Sequence, residues 1–553
     1  MMTSGVTFKW LLKKIRKNIP VLLLLTLCSI GSSLSGVFFA LGTKNVIDAA
    51  AAGDRYAFVR SCIIQVCIVF FIILCNALFH HLRDRTHAVL DKSWKRTLLQ
   101  NLMISEYRDV SAFHSSELLN RLNNDVRTLV DNIVNLLPNL CSMITKLVAA
   151  FAVLVTLTPW FALALFCAGS VLVFFTGIFR RHLKSLHKRV SESDGRVLGI
   201  LQETLEKLLA VQAMRITNEI DRRTQVRLED RFSIQIKRKN LTLLANTCVG
   251  VVFHIAGFAA LVCCSAGLLN GTMSFGMMTA IIQLVNQLQT PLVGLSGIMP
   301  QLASAAASAE RLYELDNLPK TPQCSEEPAD AIYERMDGIV AKNLTFTYDR
   351  DCVLDQADFS IPKGSFCVIT GQSGAGKSTI LKLLLGIFSP ESGELYLQCG
   401  ADRIPVNAGT RQLFAYVPQG NLIFSGSIRD NLLVVCPDAT QEQIQQAVYV
   451  STMDAFLPQL PDGLDTILGE GGAGLSEGQV QRLAIARAVL GGAPILLLDE
   501  CTSALDVQTE ITVLERLRRL ENKTCIAVTH RPVAESICNV NIKINDCKTD
   551  TFY

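Results

Sequence analysis

Six long apolar stretches dominate the first 300 residues of this chain. They cover residues 19–41, 62–78, 136–157, 161–179, 241–269 and 275–299, and the second is expected to extend back through Phe58. The length of each stretch is near the roughly 20 residues that an α-helix needs to cross the hydrocarbon of a bilayer. Only 18% of the residues are charged, against about 25% in typical soluble domains. The pattern predicts six membrane-spanning helices and argues against an ordinary soluble protein.

The connectors between these stretches indicate how the chain crosses the membrane. Those after the second and fourth stretches, about 79–135 and 180–240, are long, and the later one is rich in Lys and Arg. Because basic residues favour the cytoplasmic side, both long connectors, the N-terminus and everything after Met299 are expected in the cytoplasm. Helical spacing in the connectors predicts that the membrane helices continue well into the cytoplasm.

The soluble part of the chain follows the last apolar stretch. Short β-rich runs, such as 366–370, 494–499 and 524–529, alternate with helical patterns, which is typical of an α/β domain. The basic, amphipathic start of the chain predicts an interfacial elbow helix. We therefore expect an elbow helix over 1–18, a transmembrane domain over 19–315, a linker over 316–336 and an α/β domain over 337–553. The net charge of +3 gives no reason to expect a nucleic-acid partner.

A glycine-rich loop lies between a predicted strand and a predicted helix of the α/β domain. The segment Gly371-Gln-Ser-Gly-Ala-Gly-Lys-Ser-Thr379 matches the P-loop pattern, in which backbone N–H groups surround phosphate oxygens. Lys377 is expected to reach the β- and γ-phosphates, and Ser378 to bind Mg²⁺. The predicted ATP-binding residues of this loop are Gly371, Ser373, Gly374, Gly376, Lys377, Ser378 and Thr379.

An apolar strand ending in two carboxylates follows about 120 residues later. The run Ile495-Leu-Leu-Leu-Asp499-Glu500 has the composition of a buried parallel strand. Asp499 at its end suits Mg²⁺ coordination, and Glu500 is placed to polarise an attacking water. Together with the P-loop, this strand predicts a nucleotide-hydrolysing site.

The segment between the P-loop and this strand contains a motif that resembles one protein family. Leu475-Ser476-Glu477-Gly478-Gln479 resembles the signature motif of ABC transporter ATPases, with Glu477 where the family pattern has Gly. The resemblance covers essentially the whole chain and implies ATP and Mg²⁺ as cofactors. It also implies that Tyr348 stacks on adenine, that Gln419 acts in catalysis and metal binding, that Ser503 and Asp506 form the D-loop, and that His530 is the switch histidine.

The membrane half resembles that of exporter-type half-transporters. The resemblance implies that the intracellular loops dock on the ATPase domains near 107–115 and 209–217. It further implies a dimer, because in this family the signature motif closes over nucleotide held by the other subunit's P-loop. A homodimer is favoured because this chain contains both halves of a catalytic site, namely Glu500, His530, Ser476 and Gly478. A heterodimer stays open. We expect a bacterial plasma membrane location with the ATPase domain in the cytoplasm.

Several polar residues within the predicted spans are candidates to line a substrate cavity. Polar groups at membrane depth tend to face protein or a water-filled cavity, and hydrogen bonding between helices is the competing interpretation. An apolar cavity with scattered amides suits an amphipathic or hydrophobic peptide, lipid or drug-like molecule. Two alternatives stay open: an importer built on the same fold for a siderophore-like substrate, and an ATP-gated regulator or channel without a pumped substrate. The candidates are Asn76, His254, Gln283 and Gln287.

Overall fold

The computed structural model describes residues 3–321, 327–348, 351–372, 374–420, 423–469, 474–545 and 547–552, without the side chains of 164–181 and of some other helical positions. The chain divides into two compact units. The first comprises Met1–Met103 and Phe113–Asn317, and the second comprises Ile104–Ala112 and Leu318–Tyr553. A short segment of the first long connector therefore belongs to the same unit as the α/β domain.

The first unit is built from long helices. Several exceed the span of a bilayer, and the longest, with 53 residues, is about 80 Å long at 1.5 Å per residue, against roughly 30 Å of hydrocarbon. The predicted continuation of helix beyond the apolar stretches is thus confirmed, and its location in the cytoplasm stays a prediction. The helices are α1 (Thr3–Ile15), α2 (Ile19–Ala51), α3 (Arg55–Met103), α5 (Ser115–Asn120), α6 (Val126–Leu157), α7 (Pro159–Glu206), α8 (Leu208–Ala213), α9 (Thr217–Leu269) and α10 (Phe275–Asp316), and α4 (Tyr107–Ser111) lies in the second unit.

The number of spans stays a prediction. Among the described residues, four helical segments are long and apolar enough to cross a membrane, namely Gly5–Ala51, Arg55–Met103, Ser115–Leu157 and Thr217–Leu269. The fourth and sixth apolar stretches fall in α7 and α10, where part of the side chains lies outside the described residues. Helix is present at all six predicted positions.

The amphipathic N-terminal helix is fastened to the end of α10. Asp316, the last residue of α10, accepts hydrogen bonds from Trp10 Nε1 at 2.7 Å, Lys14 Nζ at 2.8 Å and Asn101 Nδ2 at 2.7 Å. The Trp10 ring also meets the rings of Trp94 and Tyr313 edge to face, each with centroids 5.8 Å apart. One carboxylate therefore joins α1, α3 and α10.

A second polar cluster joins the start of α6 to α10. Asp125 is buried and accepts from Arg311 Nε at 2.7 Å and from Ser308 Oγ at 2.9 Å. Buried Arg121, one turn earlier, donates to Glu314 Oε2 at 2.7 Å. Because a buried charge is tolerated only when it is paired and hydrogen-bonded, these contacts determine which face of α10 packs against α6.

The second unit contains two main sheets with helices around them. An antiparallel sheet has the order β2-β1-β4-β5, and a mostly parallel sheet has the order β12-β11-β3-β10-β9-β6. The strands are β1 (Gly338–Tyr348), β2 (Asp351–Pro362), β3 (Phe366–Gly371), β4 (Ser392–Cys399), β5 (Asp402–Pro405), β6 (Phe414–Val417), β7 (Gly426–Ser427), β8 (Ile467–Leu468), β9 (Ile495–Asp499), β10 (Thr524–Val528), β11 (Val540–Asn545) and β12 (Lys548–Phe552). The helices are α11 (Ala329–Arg335), α12 (Lys377–Leu384), α13 (Ile428–Leu433), α14 (Gln441–Val450), α15 (Glu477–Leu490), α16 (Val507–Arg518) and α17 (Pro532–Ile537).

The parallel strands determine where the candidate site lies. All five residues of β9 and of β10 are buried, as expected for strands covered on both faces. In such sheets, ligands bind beyond the carboxyl ends of the strands. The residues that follow β3, β6, β9 and β10 therefore meet at one edge, and they include the predicted catalytic set.

The interval predicted as a linker is partly built into the α/β unit. Its described part contains α11, whose Ile332 and Tyr333 are buried in the core of that unit, together with Met336. Tyr333 exchanges a hydrogen bond of 2.9 Å with Thr524 Oγ1 on β10. Apolar residues in this interval therefore have a packing role that its proline content did not indicate.

Candidate functional site

The P-loop joins the end of β3 to the start of α12. Gly376 has φ +93°, and a Cβ there would collide with the Val353 side chain, so both conformation and space require glycine. Buried Lys377 donates to the carbonyls of Gly371 at 3.1 Å and Gln372 at 2.9 Å. Burial lowers the pKa of Lys377, against the opposing charges of Glu500 and Asp499. Gly374 lies in the loop before α12, Thr379 lies in the first turn of α12, and Ser373 lies outside the described residues.

Asp499 ends β9 beside the P-loop. Its carboxylate is 2% exposed and accepts from Ser378 Oγ at 2.9 Å and from the Tyr416 hydroxyl at 3.1 Å. Burial raises the pKa of Asp499, although both hydrogen bonds oppose the shift. Burial also raises the pKa of Tyr416, as do the charge of Asp499 and the hydrogen bond to it. The phenol therefore stays protonated and is the donor of this bond.

Glu500 brings three separate segments together. Its backbone has φ +49°, a left-handed conformation that costs a non-glycine residue about 1–3 kcal/mol. Its Oε2 accepts from Gln419 Nε2 at 2.6 Å, and its Oε1 lies 3.0 Å from His530 Nε2. The three residues that the sequence predicts to be catalytic therefore form one cluster. Strain held at such a position is typical of a functional site.

The site also fits a magnesium ion. The Ser378 hydroxyl, the Asp499 carboxylate and the Gln419 amide supply oxygen donors at the same edge of the sheet, and Mg²⁺ prefers oxygen ligands. Two of these groups, Ser378 Oγ and Asp499 Oδ1, lie 2.9 Å apart. These are the three residues that the sequence predicts as metal ligands.

The signature segment forms the N-terminus of α15. Ser476 caps the helix: its hydroxyl accepts from the Gln479 N–H at 3.3 Å, while the Gln479 side chain accepts from the Ser476 N–H at 2.8 Å. Leu475 packs against a cluster of buried apolar side chains, whereas Ser476 and Glu477 are exposed. A Cβ on Gly478 would lie 2.9 Å from the Ala504 carbonyl oxygen, so glycine allows the D-loop to approach α15 closely.

The D-loop is fixed by residues that the sequence analysis missed. Gln481 donates to Ser503 Oγ at 3.0 Å and accepts from the Ala504 N–H at 3.0 Å. Arg531, directly after His530, donates to the Ser503 and Leu505 carbonyls at 2.6 and 2.8 Å. Asp506, predicted in the D-loop, caps α16 by accepting from the Thr509 N–H at 3.0 Å.

Arg531 is itself held by a buried carboxylate. Its Nη1 lies 2.7 Å from Glu510 Oε2, and Glu510 also accepts from Thr502 Oγ1 at 2.8 Å. In the sequence, the one indication of a role for Arg531 is its position next to the predicted catalytic histidine. No local sequence pattern indicated a role for Glu510.

Tyr348 stands at the end of β1. Its side chain is 38% exposed and contacts Phe346 and Phe388 edge to face, with centroids 5.0 and 5.4 Å apart. The three rings form a small aromatic cluster, and edge-to-face packing is a preferred geometry for aromatic rings. Adenine stacking by Tyr348 stays a prediction.

The polar candidates within the membrane helices have different surroundings. Gln287 on α10 donates to the Gly36 carbonyl on α2 at 2.9 Å, and Asn76 accepts from Ser32 Oγ at 2.9 Å. Both bonds cross between helices, which favours the competing interpretation for these two residues. Gln283 is half-buried and His254 is exposed within this chain. Gln65, which donates to the Phe39 carbonyl at 3.2 Å, is a further interhelical contact.

Comparisons with known proteins cover both parts of the chain. The protein-family model described as ABC transporter transmembrane region matches residues 22–292. The protein-family model described as ABC transporter matches residues 354–503. ABC transporter B family member 1 of Dictyostelium discoideum is 25% identical over 557 residues, which is 98% of this chain and 60% of that protein. This chain therefore spans less than two thirds of that relative.

Bacterial relatives and a solved structure are also similar. The ATP-dependent lipid A-core flippase of Haemophilus ducreyi is 28% identical over 79% of this chain and 75% of its own. The putative multidrug export ATP-binding/permease protein YgaD of Bacillus subtilis is 26% identical over 78% of this chain and 74% of its own. The structure of a bacterial Atm1-family ABC exporter with ATP bound has a TM-score of 0.82 and 22% identity, and the match covers 97% of this chain and 95% of that one. That likeness shows the fold.

Proposed function

This chain belongs to the ABC transporter family, and on that basis we propose that it is an ATP-driven exporter acting as a dimer. The observation that carries the proposal is the cluster of Glu500, Gln419 and His530 beside the P-loop of a chain with long membrane helices. A hydrolytic site joined to a membrane domain supports coupling of ATP hydrolysis to transport.

The residues of the site divide the chemistry among them. The P-loop backbone and Lys377 would bind the phosphates and offset their charge, and Mg²⁺ held by Ser378, Asp499 and Gln419 would neutralise charge that develops during transfer. Glu500 is positioned to orient the attacking water and accept its proton. His530 and Gln419, both within hydrogen-bond distance of Glu500, would keep its carboxylate oriented.

The arrangement of motifs supports a dimer. One chain carries one P-loop and one signature segment, and the exposed Ser476 and Glu477 are available to a second copy. We propose that each nucleotide is bound between the P-loop of one copy and the signature segment of the other. A homodimer is the simpler assembly, because Glu500, His530, Ser476 and Gly478 are all present in this chain.

The proposed substrate is an amphipathic or hydrophobic molecule in a bacterial plasma membrane. Relatives carry the names lipid A-core flippase and multidrug export protein, and both classes of substrate partition into membranes. The apolar helices with few polar side chains agree with such a substrate. Closure of two cytoplasmic ATPase units would rock the helix bundles and open the cavity on the opposite side.

The test is transport by the full chain in liposomes whose ATPase units face outward. ATP and Mg²⁺ added outside should drive a fluorescent lipid or a lipophilic dye into the lumen, and Glu500→Gln should abolish the uptake. Loss of probe from the lumen would instead indicate an importer. ATP hydrolysis that no probe stimulates, with no movement, would favour a regulator or channel. Co-purification of two differently tagged copies tests the homodimer.

A further inference from the structure

Tyr416 and Asp499 lie on neighbouring parallel strands with their side chains on the same face. Tyr416 on β6 pairs with Leu497 on β9, two residues before Asp499, and side chains on a strand alternate between faces with a period of two. The geometry of the sheet therefore directs the phenol along the surface of β9 towards its carboxyl end. The resulting hydrogen bond from the Tyr416 hydroxyl to Asp499 Oδ2 is 3.1 Å long.

The Asp499 carboxylate is held at both of its oxygens. Ser378 Oγ on α12 donates to Oδ1 at 2.9 Å, and Tyr416 donates to Oδ2. Asp499 is 2% exposed, so water has little access to replace a lost donor. The two donors come from different elements and bind different oxygens, so together they restrict rotation of the carboxylate about its terminal bond.

We propose that Tyr416 is a positioning residue for the magnesium site, where it holds Asp499 in the orientation that turns Oδ1 towards Ser378. The proposal rests on the ATP hydrolysis proposed above and adds to it a residue to which the sequence analysis gave no role. Groups that hydrogen-bond to metal-binding carboxylates fix their orientation, and their loss typically weakens metal affinity about 10–100-fold.

A purely structural role for Tyr416 is the competing explanation. Its ring packs against the same core as Leu497, and a phenylalanine would fill that space equally well. The hydroxyl alone separates the two roles. Tyr416→Phe removes the donor to Asp499 while it keeps the ring.

Tyr333 supplies a matched control in the same unit. Its hydroxyl also shares a buried hydrogen bond, 2.9 Å long, with Thr524 Oγ1, at the opposite end of β10 from His530. Tyr333→Phe therefore removes an equivalent phenol contact remote from the predicted metal ligands. Any general cost of losing a buried tyrosine hydroxyl should appear in both variants.

The experiment measures the affinity of the full-length protein for Mn²⁺, used as a probe for Mg²⁺, in the presence of a non-hydrolysable ATP analogue. Binding is followed by electron paramagnetic resonance. We expect Tyr416→Phe to bind Mn²⁺ about tenfold more weakly, while Tyr333→Phe matches wild type. Binding of a fluorescent ATP analogue in EDTA should be unchanged in both. Tyr416→Leu, which lacks the hydroxyl and also leaves part of the space of the ring empty, should bind Mn²⁺ at least as weakly as Tyr416→Phe.

Equal Mn²⁺ affinities in wild type and the Tyr416 variants would overturn the proposal. So would equal weakening in Tyr416→Phe and Tyr333→Phe, because the loss would then be structural. Failure of the wild-type protein to bind any ATP analogue would instead contradict the proposed function, which keeps the two conclusions separate.

Discussion

The Arg531–Glu510 pair allows a quantitative test of how the D-loop is held. Glu510 is fully buried, whereas the Arg531 side chain is 34% exposed. Removing one member of a buried ion pair costs about 3–5 kcal/mol when the remaining charge stays buried. Arg531→Leu leaves Glu510 in that situation, while Glu510→Gln leaves a guanidinium that water can reach. The exposed fractions therefore predict unequal costs for the two single variants.

We expect Arg531→Leu to cost roughly 3–4 kcal/mol and Glu510→Gln roughly 1–2 kcal/mol. At about 2–4 °C per kcal/mol for a unit of this size, the corresponding thermal midpoints should fall by about 10 °C and about 5 °C. The double variant leaves no unpaired buried charge, so it should be more stable than Arg531→Leu alone.

The assay is thermal unfolding of the full-length protein in detergent, followed by fluorescence at a fixed scan rate. ATPase activity should fall in both single variants, because Arg531 also holds the carbonyls of Ser503 and Leu505. Equal destabilisation by the two single changes, or strictly additive losses in the double variant, would refute the assignment of an uncompensated buried charge.

Three other variants test separate parts of the structure. Glu500→Gln should slow ATP hydrolysis by about 10²–10⁴-fold while ATP still binds, as measured by phosphate release and retained nucleotide; normal turnover would remove Glu500 from its role. Gly376→Ala should abolish binding of a fluorescent ATP analogue, because φ +93° and the Val353 side chain exclude a Cβ, and wild-type affinity would contradict this. Asp316→Leu should loosen α1 and increase its cleavage by protease, because Trp10, Lys14 and Asn101 lose their common acceptor. As the control, Gln301→Leu changes an exposed α10 position and should leave cleavage unchanged.

The sequence alone determined the features that depend on local pattern. Apolar length identified the membrane helices, and the P-loop and the strand 495–499 were recognisable because their chemistry needs adjacent residues. The fold class, the family and the ATPase chemistry followed from these segments. In the membrane half, composition also identified polar residues within the spans, but it could not say what each of them contacts.

Only the tertiary structure decided which distant residues meet. Gln419 and His530 converge on Glu500 because β6, β9 and β10 end at one edge of a sheet. Tyr416 reaches Asp499 through strand register, and Arg531 reaches Glu510 through the packing of α16. Such contacts join residues far apart in the chain, so no periodicity in the sequence records them. They exist because buried charges and donors must find partners once the strands and helices have packed.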